Sequence, residues 1–369
     1  MTLRLPDYGG GCITGIVPAL LDGVDAPWMP EVARRATQVV LLVLDGLGWE
    51  QLQERRSLVP AMASMEGGPI TSVAPTTTAT ALSSIVHGAA PAVHGVVGYR
   101  VRVGIGGGAV LNVLRWRTAD GDAREAVPPQ AFQSRPGFGG RRVPVVTRSE
   151  FAGTGFTTAL GLDGAIVGWR RPSAIAVEVG RCLAAGAPLV YAYYDGVDTV
   201  AHELGFGPHY DAEVVAADRI VADLAAVLPP GAALVVTSDH GQVEVGDRLV
   251  LLDDEVLGDV AMTSGEGRFL WLHAAPGRAG ALEATCRQRF EASGQAWVRT
   301  RREVIDEGWF GGPLTPSWEE RLGDVALVAI EPVAFLDPAD QGSAGLRCRH
   351  GSLTPAELLV PLLAVGSLA

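Results

Sequence analysis

The segment TQVVLLVLDGLG, residues 37–48, is an unbroken apolar run rich in β-branched residues that ends in Asp-Gly. Without polar alternation, such a run predicts a strand buried on both faces. The same shape recurs in PLVYAYYDGVD (188–198) and in GAALVVTSDHG (231–241). Between those two, DAEVVAADRIVADLAAVL (211–228) spaces its apolar residues at helical intervals. Strand, helix and strand therefore alternate, which predicts an α/β fold on a mainly parallel sheet flanked by helices. Each of the three strands runs out into Asp or His at its C-terminal end. In open α/β sheets that edge binds ligands, so the pattern predicts a site as well as a fold.

Two stretches fit the sheet poorly. Residues 101–145 are rich in Gly, Arg and Pro, and residues 250–322 mix short apolar runs with charged, helix-like segments such as ALEATCRQRFEA. Both read as insertions capping the site of a single domain spanning 1–369, with no internal repeat and no linker-like stretch.

Composition narrows the classes. At 369 residues, 48% hydrophobic and 19% charged, the chain can bury a large interior, which excludes disorder. All 29 basic residues are arginine and the net charge is −12. That argues against a nucleic-acid polymer as partner, and it excludes any chemistry that needs a lysine. Cys12, Cys182, Cys286 and Cys348 show no C-x-x-C spacing, so neither a disulfide framework nor a cysteine zinc site is expected. The N-terminus has no signal-like segment, and no apolar stretch is long enough to span a bilayer, so the expectation is a soluble, cytoplasmic protein without a membrane partner.

The candidate chemistry sits at the strand ends. Asp45 follows the first run, Asp198 and His202 follow the second, and Asp239 and His240 follow the third; His350, in RCRHGSLTPAELLVPLL, joins them. An Asp-x-x-x-His spacing puts two ligands on one side if the chain turns helical there. An adjacent Asp-His pair serves a second centre only if the turn splays the side chains, which Gly241 would permit. Carboxylate with imidazole suits zinc, and three of each would furnish two three-ligand sites. For Asp45 alone a turn or cap role is the commoner fate, and His87, His209 and His273 read as ordinary core or surface histidines. His94 reads either way.

A second signal is SVAPTTTATALSSIVHGAAPAVHGVVGYR, residues 72–100, which crowds three threonines ahead of an apolar run. One threonine would be enough to cap a helix. A hydroxyl at a helix N-terminus is also well placed to meet an anion such as phosphate.

Taken in order, these segments resemble the alkaline phosphatase superfamily, most closely its nucleotide pyrophosphatase/phosphodiesterase branch. The resemblance rests on Asp45 after a strand, PTTTATALSSIVHGAAPAVHGVVG, the later Asp-x-x-x-His, Ser-Asp-His-Gly, and a final His-Gly. It implies a two-zinc phosphodiesterase acting on small phosphodiesters or nucleotides, with other divalent metals able to replace zinc. Thr78 is then the nucleophile and forms a phosphothreonine intermediate, with Thr76 and Thr77 left as loop or capping residues. One ion would be held by Asp198, His202 and His350, the other by Asp45, Asp239 and His240.

The register departs from the branch at one place. Where many members have Asn after the second His-Gly segment, this chain has Tyr99 followed by Arg100. Tyr99, Arg100 or Asn112 would then stabilise the phosphoryl oxygens, and the choice among diester, monoester and phosphonoacetate-type substrates stays open. Tyr193, Tyr194 and Trp116 could stack on a base, although aromatic residues beside strands more often fill the core. Sulfatases are excluded by the lack of their C/S-x-P-x-R context, and phosphoglycerate mutases of the superfamily by the lack of lysine. GIGGGA (104–109) satisfies a dinucleotide fingerprint but precedes a β-like segment, so a glycine-rich hairpin is expected.

Overall fold

A computed structural model describes residues 3–104, 108–337, 340 and 345–367. Among these residues the largest sheet has seven strands: β1 (Gln38–Leu44), β2 (Glu66–Thr71), β3 (Val145–Arg148), β4 (Ile166–Trp169), β5 (Leu189–Tyr194), β6 (Ala232–Thr237) and β7 (Leu359–Gly366). Their spatial order is β2-β7-β6-β1-β5-β3-β4. β1 pairs in parallel with β6 and β5, and β3 pairs in parallel with β5 and β4. β7 runs antiparallel to both of its neighbours. Val39, Leu41 and Val43 enter one core, while Val40, Leu42 and Leu44 enter another on the opposite face. That division explains the unbroken apolar run, since neither face of β1 meets water.

Helices cover both faces. Pro208–Ala226 lies on one side with Ile175–Ala184, and its buried residues include Val214, Ala217, Val221 and Leu224. Thr78–His87 lies on the other and is buried along its entire length. No helix among the described residues is long and apolar enough to cross a membrane.

The two stretches that the sequence sets apart form their own sheets. Arg100–Val103, Ala109–Asn112, Arg117–Thr118 and Gly121–Asp122 make an antiparallel four-stranded sheet. Ala109–Asn112 is therefore a strand, which removes the helix that a dinucleotide fingerprint requires; residues 105–107 of GIGGGA lie outside the described residues. Val260–Glu266, Phe269–Ala274, Val325–Ala329 and Ala296–Thr300, in that spatial order, make the other four-stranded sheet. The second sheet thus takes in a strand beyond residue 322. Arg100 joins the two sheets, because its guanidinium pairs with Asp337, which also accepts from Thr263 Oγ1 at 2.7 Å.

Candidate active site

β1, β5 and β6 end side by side, and the chain beyond each carries the chemistry. Asp45 comes directly after β1, and its N–H donates to the Tyr194 carbonyl. Asp198 falls in the first turn of the helix Gly196–Leu204 and His202 in its last. They therefore share a side, with His202 Nε2 3.3 Å from Asp198 Oδ1. Asp239 and His240 follow β6. Gly46 lets the first two loops touch: its φ is +73°, and a Cβ there would lie 2.9 Å from the Asp198 Cβ. Gly241 acts differently from the sequence expectation. Rather than supplying an unusual backbone angle that splays Asp239 from His240, it leaves space for the Ala356 carbonyl, into which a Cβ would run.

His350 is brought in by the threonine loop. Thr76 forms an isolated antiparallel bridge with Gly351, donates from Oγ1 to the Ser352 carbonyl at 2.7 Å and accepts the Gly351 N–H at 3.0 Å. Thr77 occupies the N-cap position of Thr78–His87 without a capping hydrogen bond. Its hydroxyl goes instead to Glu266. The free amides of that helix end are thus left for another acceptor. Thr78 is the first helical residue, with Oγ1 3.1 Å from His240 Nε2.

All three histidines share one arrangement. His202 Nδ1 faces the Cys348 carbonyl at 2.7 Å, His350 Nδ1 the Thr76 carbonyl at 2.8 Å, and His240 Nδ1 the Gly241 carbonyl at 3.1 Å. A carbonyl only accepts, so each Nδ1 carries the proton and each Nε2 offers a lone pair. Burial, with His240 and His202 nearby, holds His350 well below the ordinary histidine range.

The carboxylates are crowded. Asp239 Oδ1 accepts from the Gly46 and His240 amides at 3.1 and 3.0 Å, while Asp45 Oδ2 accepts from the Tyr193 hydroxyl. Asp45 Oδ1 and Asp239 Oδ2 are buried without a hydrogen-bond partner, and they stand 3.5 and 3.3 Å from His240 Nε2. Burial and then the Asp239 and Asp198 charges push Asp45 well above the usual carboxylate range; burial likewise raises Asp198. Orphaned acceptors beside imidazole lone pairs fit a divalent cation. Two groups of ligand atoms lie within 4.8 Å of one another: Asp198, His202 and His350, and Asp45, Asp198 and His240. Asp198 belongs to both.

Tyr99 and Asn112 lie with Thr78, His202 and His350 on the wall of a cavity of about 480 Å³. Asn112 Nδ2 donates to the Tyr99 hydroxyl at 2.6 Å. Arg100, by contrast, is turned to Asp337 and away from this wall. Sequence reasoning missed Gln242, whose Nε2 donates to Asp198 Oδ1 at 3.0 Å, and also Glu266, Arg115 and Arg349 on the cavity wall. Gln242 and Arg349 flank motif residues, which is a usable signal; Glu266 has none. Trp116 is 1% exposed with its N–H on the Val127 carbonyl, and Tyr194 donates to Glu213 within the opposite core, so neither is available to stack on a base.

The sequence matches the family described as Type I phosphodiesterase / nucleotide pyrophosphatase over residues 39–188 and 184–353. Among curated proteins none matches. The fold is similar to murine ectonucleotide pyrophosphatase / phosphodiesterase 5, with a TM-score of 0.65, 16% identity, and 89% of this chain and 88% of that chain covered. The same murine protein is known as an inactive threonine-to-alanine variant in complex with AMP, at 15% identity, a TM-score of 0.65 and the same coverage. Phosphonoacetate hydrolase from Sinorhizobium meliloti 1021, in complex with phosphonoformate, is similar at a TM-score of 0.63 and 21% identity, covering 93% and 91% of the two chains.

Proposed function

The chain belongs to the type I phosphodiesterase / nucleotide pyrophosphatase family, and from that premise we propose that it hydrolyses small phosphate diesters with Thr78 as nucleophile. The observation that carries the reading is the Thr78 hydroxyl at a helix N-terminus, 3.1 Å from His240 Nε2 and amid two groups of candidate ligands. Asp198, His202 and His350 would hold one divalent ion, and Asp45, Asp239 and His240 the second, with Asp198 in reach of both. Zinc suits this donor set. When bound, the ions supply positive charge for the oxygens around phosphorus and favour ionisation of a neighbouring hydroxyl.

The chain's own residues do the rest. Thr78 Oγ attacks phosphorus as its proton leaves, the new O–P bond forming while the bond to the departing ester oxygen breaks. The product is a phosphothreonine and an alcohol, which takes up a proton. Water then displaces Thr78 from phosphorus and restores its hydroxyl. The amides that open the Thr78–His87 helix face the phosphoryl charge. Because Asn112 donates to Tyr99, the Tyr99 hydroxyl keeps its own proton for a phosphoryl oxygen.

A second reading, a monoesterase or phosphonoacetate-type hydrolase, is favoured by Arg115 and Arg349, which both line the same wall, since added positive charge suits a substrate with an extra negative charge. The test combines metal analysis with rates on bis(p-nitrophenyl) phosphate, p-nitrophenyl phosphate and phosphonoacetate. We expect about two ions per chain, preference for the diester, and a loss of more than about a thousandfold in Thr78→Ala with metal content unchanged. Wild-type turnover in Thr78→Ala would remove the nucleophile assignment, and preference for phosphonoacetate would favour the second reading.

A further inference from the structure

Thr77 holds the N-cap position of the helix Thr78–His87 but does not cap it. At two other helix starts the same residue type does so: Thr154 Oγ1 accepts the Thr157 N–H, and Thr300 Oγ1 accepts the Glu303 N–H, each at 3.2 Å. A hydroxyl in that position ordinarily stabilises its helix by satisfying one of the first amides. Here the Thr77 hydroxyl is turned to the Glu266 carboxylate instead. The Ala81 N–H meets the Thr77 carbonyl at 2.9 Å, whereas the Thr78, Ala79 and Thr80 amides have no acceptor among the described residues.

Glu266 reaches Thr77 from a distant part of the chain. It ends the strand Val260–Glu266 and pairs with Phe269 across the turn Gly267–Arg268. Gly351 makes room for it: φ there is +125°, and a Cβ would stand 2.8 Å from Glu266 Cγ. Glu266 Oε1 is buried without a hydrogen-bond partner, and Oε2 lies 3.8 Å from His350 Nδ1, too far to bond. A carboxylate this short of donors competes well for a nearby hydroxyl.

We propose that Glu266 is a positioning residue: by holding the Thr77 hydroxyl aside, it keeps the first three amides of the helix open for the phosphoryl oxygens of the substrate. The helix gives up its cap, and its N-terminal amides and dipole then serve an anion. This rests on the reading that phosphorus is held at the Thr78 end. A ligand there is indicated independently by Asp45 Oδ1 and Asp239 Oδ2, buried acceptors without partners beside His240. Without Glu266 the Thr77 hydroxyl would turn to the Thr80 amide, as Thr154 and Thr300 do to theirs, and compete with the substrate. The role needs an acceptor at residue 266 rather than a charge.

The test titrates methylphosphonate into the metal-loaded full chain by calorimetry and follows turnover of bis(p-nitrophenyl) phosphate. Glu266→Leu should weaken methylphosphonate about five- to tenfold and raise KM by a similar factor, with kcat little changed. Glu266→Gln, which keeps an acceptor, should bind within about twofold of wild type. Adding Thr77→Val to Glu266→Leu removes the competing hydroxyl and should restore affinity to within about twofold. Glu266→Ala, alone and with Thr77→Val, gives the same comparison if the leucine variant folds poorly. A recovery that depends on the Thr77 hydroxyl, in an enzyme whose Thr78→Ala variant still turns over, would keep this inference and remove Thr78 as nucleophile. Equal weakening by Glu266→Leu with and without the Thr77 hydroxyl, or equal weakening by Glu266→Gln, would overturn it, as would unchanged affinity in Glu266→Leu.

Discussion

His87 and His350 are both buried imidazoles, yet their hydrogen bonds give them opposite uses. His350 turns Nδ1 to a carbonyl and keeps Nε2 unclaimed by backbone, whereas His87 has both nitrogens occupied. Gln133 donates from Nε2 to His87 Nε2 at 2.7 Å, and the same amide nitrogen is pinned by the Ala159 carbonyl at 2.8 Å, so it cannot turn round to accept. Protonating His87 would set two donors against each other. Burial accordingly lowers its pKa from 6.5 to about 4. Since the folded value lies below the unfolded one, this contribution to stability is complete above about pH 6.5 and is lost as pH falls towards 4. Its ceiling is about 3 kcal/mol. We expect His87→Gln to be less stable than wild type at pH 7 but to lose less stability between pH 7 and 4, as measured by urea unfolding across that range. Parallel losses in the two proteins would contradict the assignment. His94, which the sequence leaves ambiguous, is settled by the same kind of reasoning: Nδ1 accepts the Val96 N–H at 3.1 Å, so Nε2 donates to Ser84 at 2.9 Å, and no lone pair is left for a ligand.

Elements carry the next step, since His350 is only as well placed as the segment that bears it. That segment is anchored by a fully buried pair, Arg268 and Glu357, each 0% exposed. Arg268 donates to both carboxylate oxygens at 2.8 and 2.7 Å, and Glu357 also accepts from the Ser352 amide and the Thr354 hydroxyl. Arg268 lies in the turn between Val260–Glu266 and Phe269–Ala274, so the pair ties the second four-stranded sheet to the His350 segment. Removing one partner strands the other charge, at a cost of about 3–5 kcal/mol, whereas removing both is far less costly. Glu357→Leu should thus destabilise the protein by about that amount and lower its metal content, and the Arg268→Met, Glu357→Leu double variant should recover most of both. Additive losses in denaturant unfolding would show that the two do not act together. None of this was legible in the sequence, because the partners are 89 residues apart and a guanidinium reads as surface. β1, β5, β6 and the helix Pro208–Ala226 were legible, because strands covered on both faces and an amphipathic helix write their environment into a local pattern. β2, with the sequence EGGPIT, was not. It is an edge strand whose Pro69 sits opposite Pro361 of β7, and pairing across the sheet overrides a poor local preference.

At the scale of the molecule, the fold brings three acidic side chains to the ends of three adjacent strands and then covers them. The seven candidate residues were readable because motifs fix spacing along the chain; that Asp198 belongs to both ligand groups was not, because it depends on how β1 and β5 stand in the sheet. Without cations the arrangement works against folding, since Asp45 and Asp239 each bury an acceptor with no partner and burial holds Asp45 well above the usual carboxylate range. Metal binding should offset that cost. A chelator should therefore lower Tm by several degrees, and added zinc should restore it with a dependence on free metal that follows mass action. Asp45→Asn separates this electrostatic origin from general damage. The amide keeps an oxygen for the Tyr193 hydroxyl but removes one buried charge, so the metal-free variant should melt about 1–3 °C above metal-free wild type while gaining less from zinc. A metal-free variant that melts well below wild type would instead mean that Asp45 supports the fold by packing and hydrogen bonding alone. Equal zinc-induced shifts in the two proteins would remove Asp45 from the ligand set.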